Sequence, residues 1–302
     1  MSHRSRTNPF LLIGLMVLLG AGLAACGSSS TTTSATASST TAASTVTTAV
    51  SSTDTTAAGT QALTVSAASS LKGAFTEIGK AFDAANHSKT TFNFDASGTL
   101  QKQIEGGAPV DVFASAAPKQ VNALVAEKLA DAGSVKTFAG NKIVLIVPAN
   151  STLAITSFQD LTKSDVKRVG YGDPAVAPHG VAAEQILNKL GLFTQVKPKV
   201  VYAQNVSQAL TYVTTGEVDA GIVFVTEALS AGAKVKIVAT ADQSWYTPVA
   251  YPICLVSDSK AKTLGEKFID YVAGSDGQAV LAKYGFLPAP AATTDTTTTP
   301  SS

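Results

Sequence analysis

Small polar residues occupy four places where a predicted strand is followed by a predicted helix. Each junction supplies the first backbone N–H groups of a helix and polar side chains, and none contains lysine or arginine. The N-terminal end of a helix stabilises an anion by about 0.3–1 kcal/mol, and open α/β sheets bind ligands beyond the carboxyl ends of their strands. Together, the four junctions would form an uncharged pocket for a small oxygen-rich anion. They are Ala68-Ser69-Ser70-Leu71, Ala96-Ser97-Gly98-Thr99, Ala177-Pro178-His179-Gly180 and Gln204-Asn205-Val206-Ser207.

A purely structural role also fits each junction taken alone. Serine, threonine and asparagine often cap helix N-termini, where the side chain contributes about 1 kcal/mol. Two observations favour a shared pocket. The first two junctions fall in one predicted run of strands and helices and the last two in another, as a cleft between two lobes requires. Arg168 is also the single arginine after Arg6, so an anion site here would depend on backbone and hydroxyl dipoles.

Strands and helices alternate through residues 61–288, and this alternation positions the junctions. Between Ser70 and Asn86, apolar residues recur at helical spacing. The apolar run NKIVLIVPAN, residues 141–150, is typical of one strand buried on both faces. The alternation occurs in two runs, and repeated βα units predict mainly parallel sheets. We therefore predict an α/β fold with two doubly wound lobes and a ligand cleft between them.

Both ends of the chain are predicted to lie outside the fold. Residues 1–25 combine a basic start with the apolar run PFLLIGLMVLLGAGLA, which is typical of an export signal peptide. Leu23-Ala24-Ala25-Cys26 resembles the bacterial lipobox, which predicts a lipid on Cys26 and anchoring to the extracytoplasmic, periplasmic face of a membrane. Residues 26–60 and 289–302 are rich in Ser, Thr and Ala. Such segments bury too little apolar area to fold, so we predict a disordered tether and a disordered tail.

Composition and motifs argue against several classes of function. The formal net charge is only +1, and a near-neutral surface argues against nucleic acid as a partner, because phosphate contacts need clustered Lys and Arg. The sequence has no Gly-x-Ser-x-Gly, phosphate-loop or Cys-x-x-Cys motif, and no His/Asp/Glu cluster has metal-ligand spacing. An exported hydrolase with Ser70 or Ser97 as nucleophile would need a general base, and neither serine junction contains one. Cys254 lies in the apolar segment YPICLVS, which predicts a buried strand thiol.

Six segments, in order, give a resemblance to a known family. They resemble the molybdate-binding component of bacterial ABC importers, and together they span almost the whole of residues 61–288. The most specific part is the run from Ser97 to Phe113, which contains Thr-Leu, Gln-Ile-Glu and Gly-Ala-Pro-x-Asp-Val-Phe. The segments are SAASSLKGAF, FDASGTLQKQIEGGAPVDVFASA, VGYGDPAVAPHG, QNVSQALTYVTTGEVDAGIVF, YPICLV and YGF.

This resemblance implies a fold, a ligand and partners. Members of that family fold as two α/β lobes joined by two crossovers, a type II periplasmic-binding-protein-like fold that closes on its ligand like a hinge. Here one lobe would comprise residues 61–142 and 250–288, and the other residues 143–249. The family binds molybdate and tungstate and passes them to a membrane permease driven by a cytoplasmic ATPase. The resemblance thus implies a monomeric binding protein with no enzyme activity and no cofactor.

Carried over position by position, the family's ligand set falls on five residues. Ser70 and Ser97 would contribute a hydroxyl and a backbone N–H, and His179 and Val206 a backbone N–H. The fifth position, a tyrosine in much of the family, is Phe224 here. Losing one hydrogen bond to a charged ligand costs about 1.5–3 kcal/mol, roughly ten- to a hundredfold in affinity. The candidates to replace the missing hydroxyl are Tyr171, Tyr202 and Thr226.

Asp95 bears on the choice between oxyanions. By strand alternation it shares a face with Ser97. Near neutral pH molybdate and sulfate carry no proton that a carboxylate can accept, whereas phosphate does. An Asp95 that lines the pocket would favour phosphate, and we expect it instead to turn toward a helix or solvent, which favours molybdate. A phosphate receptor remains the alternative, as does a surface lipoprotein whose pocket is vestigial, with Phe224 marking the loss.

Overall fold

The computed structural model describes residues 60–290. The predicted signal peptide, the lipidation at Cys26, and all but the innermost residues of the predicted tether and tail lie outside this range. None of the described helices is both long enough and apolar enough to cross a membrane.

Ten strands and nine α-helices alternate within the described range. The strands are β1 Gln61–Ala68, β2 Ser88–Asp95, β3 Val112–Ala114, β4 Lys136–Asn141, β5 Ile143–Pro148, β6 Val169–Gly172, β7 Val200–Ala203, β8 Ala220–Phe224, β9 Val235–Thr240 and β10 Val249–Leu255. The helices are α1 Lys72–Asn86, α2 Ser97–Glu105, α3 Pro118–Ala126, α4 Pro178–Lys189, α5 Phe193–Val196, α6 Val206–Thr214, α7 Val225–Ala231, α8 Lys262–Ala273 and α9 Ser275–Lys283.

The strands form two five-stranded sheets. The first sheet has the order β2-β1-β3-β10-β4 and the second the order β7-β6-β8-β5-β9. The chain passes from the first sheet to the second at Lys142 and returns through residues 241–248. The two sheets are therefore the centres of two lobes that two crossovers connect.

Strand pairing brings the four predicted junctions together as two pairs. β1 and β2 are parallel, and their last residues, Ala68 and Asp95, are direct partners. β6 and β7 are also parallel, with Gly172 opposite Ala203. Because the chain leaves each pair at the same edge, the first two junctions lie together on one lobe and the last two on the other.

Two details of the predicted strands are wrong. The run NKIVLIVPAN is not one strand, because the chain changes sheets at Lys142 and only residues 143–148 form β5, while an unpredicted strand, β4, ends at Asn141. Each sheet is also evenly mixed rather than mainly parallel. β5 and β10, the strands that follow a crossover, run antiparallel to both of their neighbours, because each enters its sheet from the opposite end.

Aromatic packing holds the helices of the first lobe on its sheet. Phe75 and Phe82, on one face of α1, pack against Phe268 of α8 with ring centroids 5.9 and 5.2 Å apart. All three side chains are buried, and burial of each contributes about 1.5–3 kcal/mol. Cys254 is buried in β10 as predicted, and burial raises the pKa of its thiol to about 12, so it stays protonated.

Candidate functional site

A small cavity lies between the two lobes, at the place where the four junctions meet. All five predicted ligand positions line it: Ser70, Ser97, His179, Val206 and Phe224. The cavity is small, with a volume of about 10 Å³. Each lobe contributes two helix N-termini to it, whose first N–H groups have no acceptor within their own helix.

Ser97 begins α2 and is fully buried, but it does not cap the helix. Its Oγ accepts a hydrogen bond of 2.9 Å from the backbone N–H of Ala116. A serine hydroxyl carries one proton. Among the described residues the Oγ accepts this bond and donates none, so its proton is available to a group in the cavity.

Ser70 lies in a short 3-10 turn, Ser69–Leu71, that leads into α1, and it too makes no capping hydrogen bond. Its Oγ lies 3.0 Å from the hydroxyl of Tyr251 on β10. Tyr251 is buried, and burial raises the pKa of its phenol far above the ordinary value. Each serine side chain therefore forms a hydrogen bond with a buried group outside the helix at its junction.

His179 contributes from the first turn of α4, with its imidazole buried. Burial lowers the imidazole pKa to about 3, so the ring is neutral at physiological pH, and its Nε2 has no hydrogen-bond partner among residues 60–290. Gly172 makes room for the ring, because a Cβ there would collide with it. Val206 is the first residue of α6, whose N-cap Asn205 accepts a 3.0 Å hydrogen bond from Gln208 N–H.

Phe224 ends β8 and presents an apolar ring to the cavity between His179 and Tyr251, at centroid distances of 5.7 and 6.0 Å. None of the three hydroxyls suggested as substitutes for the missing tyrosine lines the cavity. Tyr171 is buried against Tyr202, Tyr202 is exposed and bonds to Glu184, and Thr226 bonds to Asn141.

Asp95 carries the only charge among the described residues that line the cavity. The expectation that it turns away is therefore wrong. Its Oδ1 accepts 2.8 Å and 2.9 Å hydrogen bonds from Ala96 N–H and from Asn205 Nδ2. The second bond joins the two lobes, which places the carboxylate in the cleft.

A backbone contact closes the cleft beside this side-chain bond. Gly98 N–H donates to the carbonyl oxygen of Val176 across the lobes, at 2.9 Å. A Cβ on Gly98 would lie 2.8 Å from both Cα and O of Val176, closer than such atoms approach. Because glycine has no side chain, the backbone of Gly98 can approach that of Val176 on the other lobe this closely.

The arrangement suits an anion held without a countercharge. No Lys or Arg in the described range lines the cavity, and no group of three or more His, Cys, Asp or Glu side chains within residues 60–290 could hold a metal ion. The donors that remain are helix N–H groups and uncharged polar side chains, among them the serines Ser69, Ser70 and Ser97. Dipoles of this kind are the groups with which proteins hold oxyanions at helix N-termini.

Comparison with known proteins assigns the chain to a family. The profile of the bacterial extracellular solute-binding proteins matches residues 63–287. The chain belongs to this family.

Individual solute-binding relatives match over the same region. The Bacillus subtilis (strain 168) protein YvgL is 39% identical over 231 residues, which are 74% of this chain and 85% of the relative. The molybdate-binding protein ModA of Escherichia coli (strain K12) is 34% identical over 228 residues, 74% of this chain and 88% of the relative. The solved structure of the Azotobacter vinelandii periplasmic molybdate-binding protein superposes with a TM-score of 0.69 at 25% identity, covering 76% of this chain and all of that one.

Membership in the solute-binding family confirms two predictions. The α/β fold with two lobes is that of its solved relatives, and the relatives are binding proteins rather than enzymes. The alternative of a serine hydrolase is therefore wrong.

Sequence reasoning missed Tyr251 and Asn141, whose side chains are hydrogen-bonded to each other behind Ser70. Tyr251 lies in the segment YPICLV, which contributed to the resemblance but was interpreted only as a strand. Nothing local marks either residue as part of a site. Their contacts with Ser70 and with Thr226 are long-range.

Glu227, in the first turn of α7, gives a prediction for stability. It is buried and accepts a 2.9 Å hydrogen bond from Thr226 Oγ1, and burial raises its pKa from 4.5 to about 7. The folded protein therefore holds this proton more tightly than the unfolded chain does, so stability falls as pH rises from 4.5 through 7. The loss amounts to about 3 kcal/mol.

Glu227→Gln removes this loss, because the amide stays neutral at every pH. Urea unfolding should show the variant's advantage over the wild type growing by about 3 kcal/mol between about pH 4.5 and pH 8. Glu105→Gln, an exposed carboxylate on α2, controls for the loss of a carboxylate. An advantage for Glu227→Gln that does not change with pH would contradict the prediction.

Proposed function

We propose that this protein is an extracytoplasmic receptor that binds molybdate or tungstate between its lobes and delivers it to an ABC importer. The observation that carries the proposal is the set of uncharged donors around the cavity. Helix N-termini from both lobes converge there, and Ser70 and Ser97 also line it. A fully deprotonated tetrahedral oxyanion offers acceptors in every direction, so a site built of donors suits it.

The proposed ligand contacts are the hydroxyls and N–H groups of Ser70 and Ser97 and the N–H groups of His179 and Val206. Phe224 occupies the fifth position and contributes only its ring. Support for molybdate comes also from relatives, since ModA of E. coli is named a molybdate-binding protein. The expected cost of the missing tyrosine hydroxyl is about 1.5–3 kcal/mol.

The proposal extends to the partners and the anchoring of the receptor. A permease and its cytoplasmic ATPase would accept the oxyanion from a monomeric receptor, held at the membrane by a lipid on Cys26. Residues 61–142 with 250–288 would act as one lobe and residues 143–249 as the other. The sheets and crossovers described above agree with this division of the chain.

Closure of the cleft would follow ligand binding. An anion that touches both lobes only when they are shut binds the closed form more tightly, and this difference in affinity shifts the equilibrium toward closure. The hydrogen bonds between Asn205 and Asp95 and between Gly98 and Val176 join the two lobes, so separation of the lobes would break them. They would add to the stability of the liganded state.

Gly98→Ala tests the role of closure. The added Cβ would meet the backbone of Val176, so the lobes would close incompletely and molybdate affinity should fall at least tenfold by calorimetry. Gly133→Ala is the matched control, because its Cβ would meet only the Asp131 side chain, at 3.4 Å or more. Equal affinities for the wild type and Gly98→Ala would show that this close approach is not needed.

The two serines can be tested by single substitutions. Ser70→Ala and Ser97→Ala should each weaken molybdate binding at least tenfold, because each removes a hydrogen bond to a charged ligand. Ser275→Ala is the control, since Ser275 is the first residue of α9 as Ser97 is of α2, but is exposed to solvent. Wild-type affinity in both cavity variants would contradict the proposed site.

Phosphate is a second candidate ligand, and the position of Asp95 is the observation that favours it. A carboxylate in the cleft can accept the proton that phosphate retains near neutral pH, whereas it only repels molybdate. Both Asp95 hydrogen bonds described above use Oδ1, which leaves Oδ2 for such a contact. Tight binding of phosphate with none of molybdate would establish this alternative.

Asp95→Asn separates the two ligands. An amide oxygen can still accept from Asn205, so the closing hydrogen bond survives while the negative charge is removed. Molybdate affinity should rise about tenfold, because repulsion between the carboxylate and the dianion disappears. A fall in molybdate affinity, or a rise in phosphate affinity, would show that the carboxylate has a different role.

A further inference from the structure

A chain of buried hydrogen bonds begins at Ser70 and runs away from the cavity. Ser70 Oγ lies 3.0 Å from the Tyr251 hydroxyl, and Asn141 Nδ2 lies 3.1 Å from that same hydroxyl. Asn141 Nδ2 also lies 3.1 Å from Thr226 Oγ1, which in turn donates to Glu227 at 2.9 Å. All five side chains are buried, so each proton in the chain has few alternative partners.

Asn141 sets the donor-to-acceptor direction of this chain of hydrogen bonds. Its Oδ1 accepts a 2.9 Å hydrogen bond from the backbone N–H of Lys142, and a backbone N–H can only donate. The amide oxygen is therefore fixed on that side, and the NH₂ group faces Tyr251 and Thr226. Its two protons are donated to these two hydroxyl oxygens.

This direction determines what the Tyr251 hydroxyl can do. Its oxygen accepts from Asn141, and its single proton needs another acceptor. The acceptor within reach is Ser70 Oγ, at 3.0 Å. Ser70 Oγ thus accepts a hydrogen bond from the Tyr251 hydroxyl, and its own hydroxyl proton points away from that bond, toward the cavity that it lines.

We propose that Tyr251 and Asn141 are positioning residues that hold the Ser70 hydroxyl proton toward the cavity, and that they thereby contribute to a preference for an oxyanion without a proton. The inference rests on the proposed function, because it concerns the same cavity. Ser97 is fixed in the same sense by a different group, the backbone N–H of Ala116. In each serine the bound donor takes one lone pair and leaves the hydroxyl proton on the cavity side, so the serine presents a donor to the ligand.

Tyr251→Phe removes the hydroxyl that links Ser70 to Asn141 and keeps the aromatic ring. Without the Tyr251 donor the Ser70 hydroxyl is free to rotate, so it can accept the proton of hydrogen phosphate as well as donate. In calorimetric titrations at about pH 8, the ratio of the Kd for inorganic phosphate to the Kd for molybdate should fall at least tenfold relative to the wild type. If Tyr251 acts only through packing, the substitution would weaken the binding of both ligands equally and leave this ratio unchanged.

Tyr246→Phe is the matched control. Tyr246 is also a buried tyrosine near a crossover, and its hydroxyl accepts from Ile143 N–H at 3.3 Å rather than contacting Ser70. Its ratio of Kd values should equal that of the wild type. A folded Tyr251→Phe variant with the wild-type ratio would overturn the proposal.

A second measurement needs no ligand, so it separates this proposal from the proposed function. In ligand-free protein with tyrosine labelled at Cζ, NMR should detect a slowly exchanging Tyr251 hydroxyl proton close to the Ser70 β protons, and Ser70→Ala should abolish the contact. A hydroxyl proton that exchanges too fast to observe, or lies beside Asn141, would overturn the proposal. Failure of the wild type to bind molybdate or tungstate would instead contradict the proposed function.

Discussion

An anion in a site without a cation must be held by dipoles that are already oriented when it arrives. Free hydroxyls in water reorient at a cost, whereas groups fixed by the fold do not, so the attraction in the site depends on rigidity. In this protein the helices at the four junctions supply fixed N–H groups, and buried partners fix the two serines. The paired parallel strands of each lobe, ending level with each other, bring these groups to one edge.

The same constraint accounts for the uncharged surroundings. A neutral imidazole at His179, with its pKa lowered by burial, adds bulk without a charge that could vary with pH. A lysine in this space would bind many anions, whereas a rigid set of donors discriminates by size and by protonation state. Asp95 departs from this pattern, and its hydrogen bond to Asn205 links the one negative side chain to closure of the cleft.

Much of the fold and of the candidate site could be predicted from the sequence because local signals carry them. Strand–helix junctions are short-range features, and the residues predicted there, Ser70, Ser97, His179 and Val206, line one cavity. The lobe boundary after Lys142 followed from the family resemblance, whereas strand β4, which ends at Asn141, was not predicted from local sequence. Tyr251 is separated from Ser70 by 181 positions, and no local pattern reports a contact at that distance.

The most direct test of the central claim is a crystal structure with molybdate, in which anomalous scattering locates the molybdenum. The account predicts the metal between the lobes, with its oxygens about 2.7–3.2 Å from the hydroxyls of Ser70 and Ser97 and from the N–H groups of His179 and Val206, and with no lysine or arginine in contact. Molybdenum at another place, or held by a lysine or arginine side chain, would contradict it.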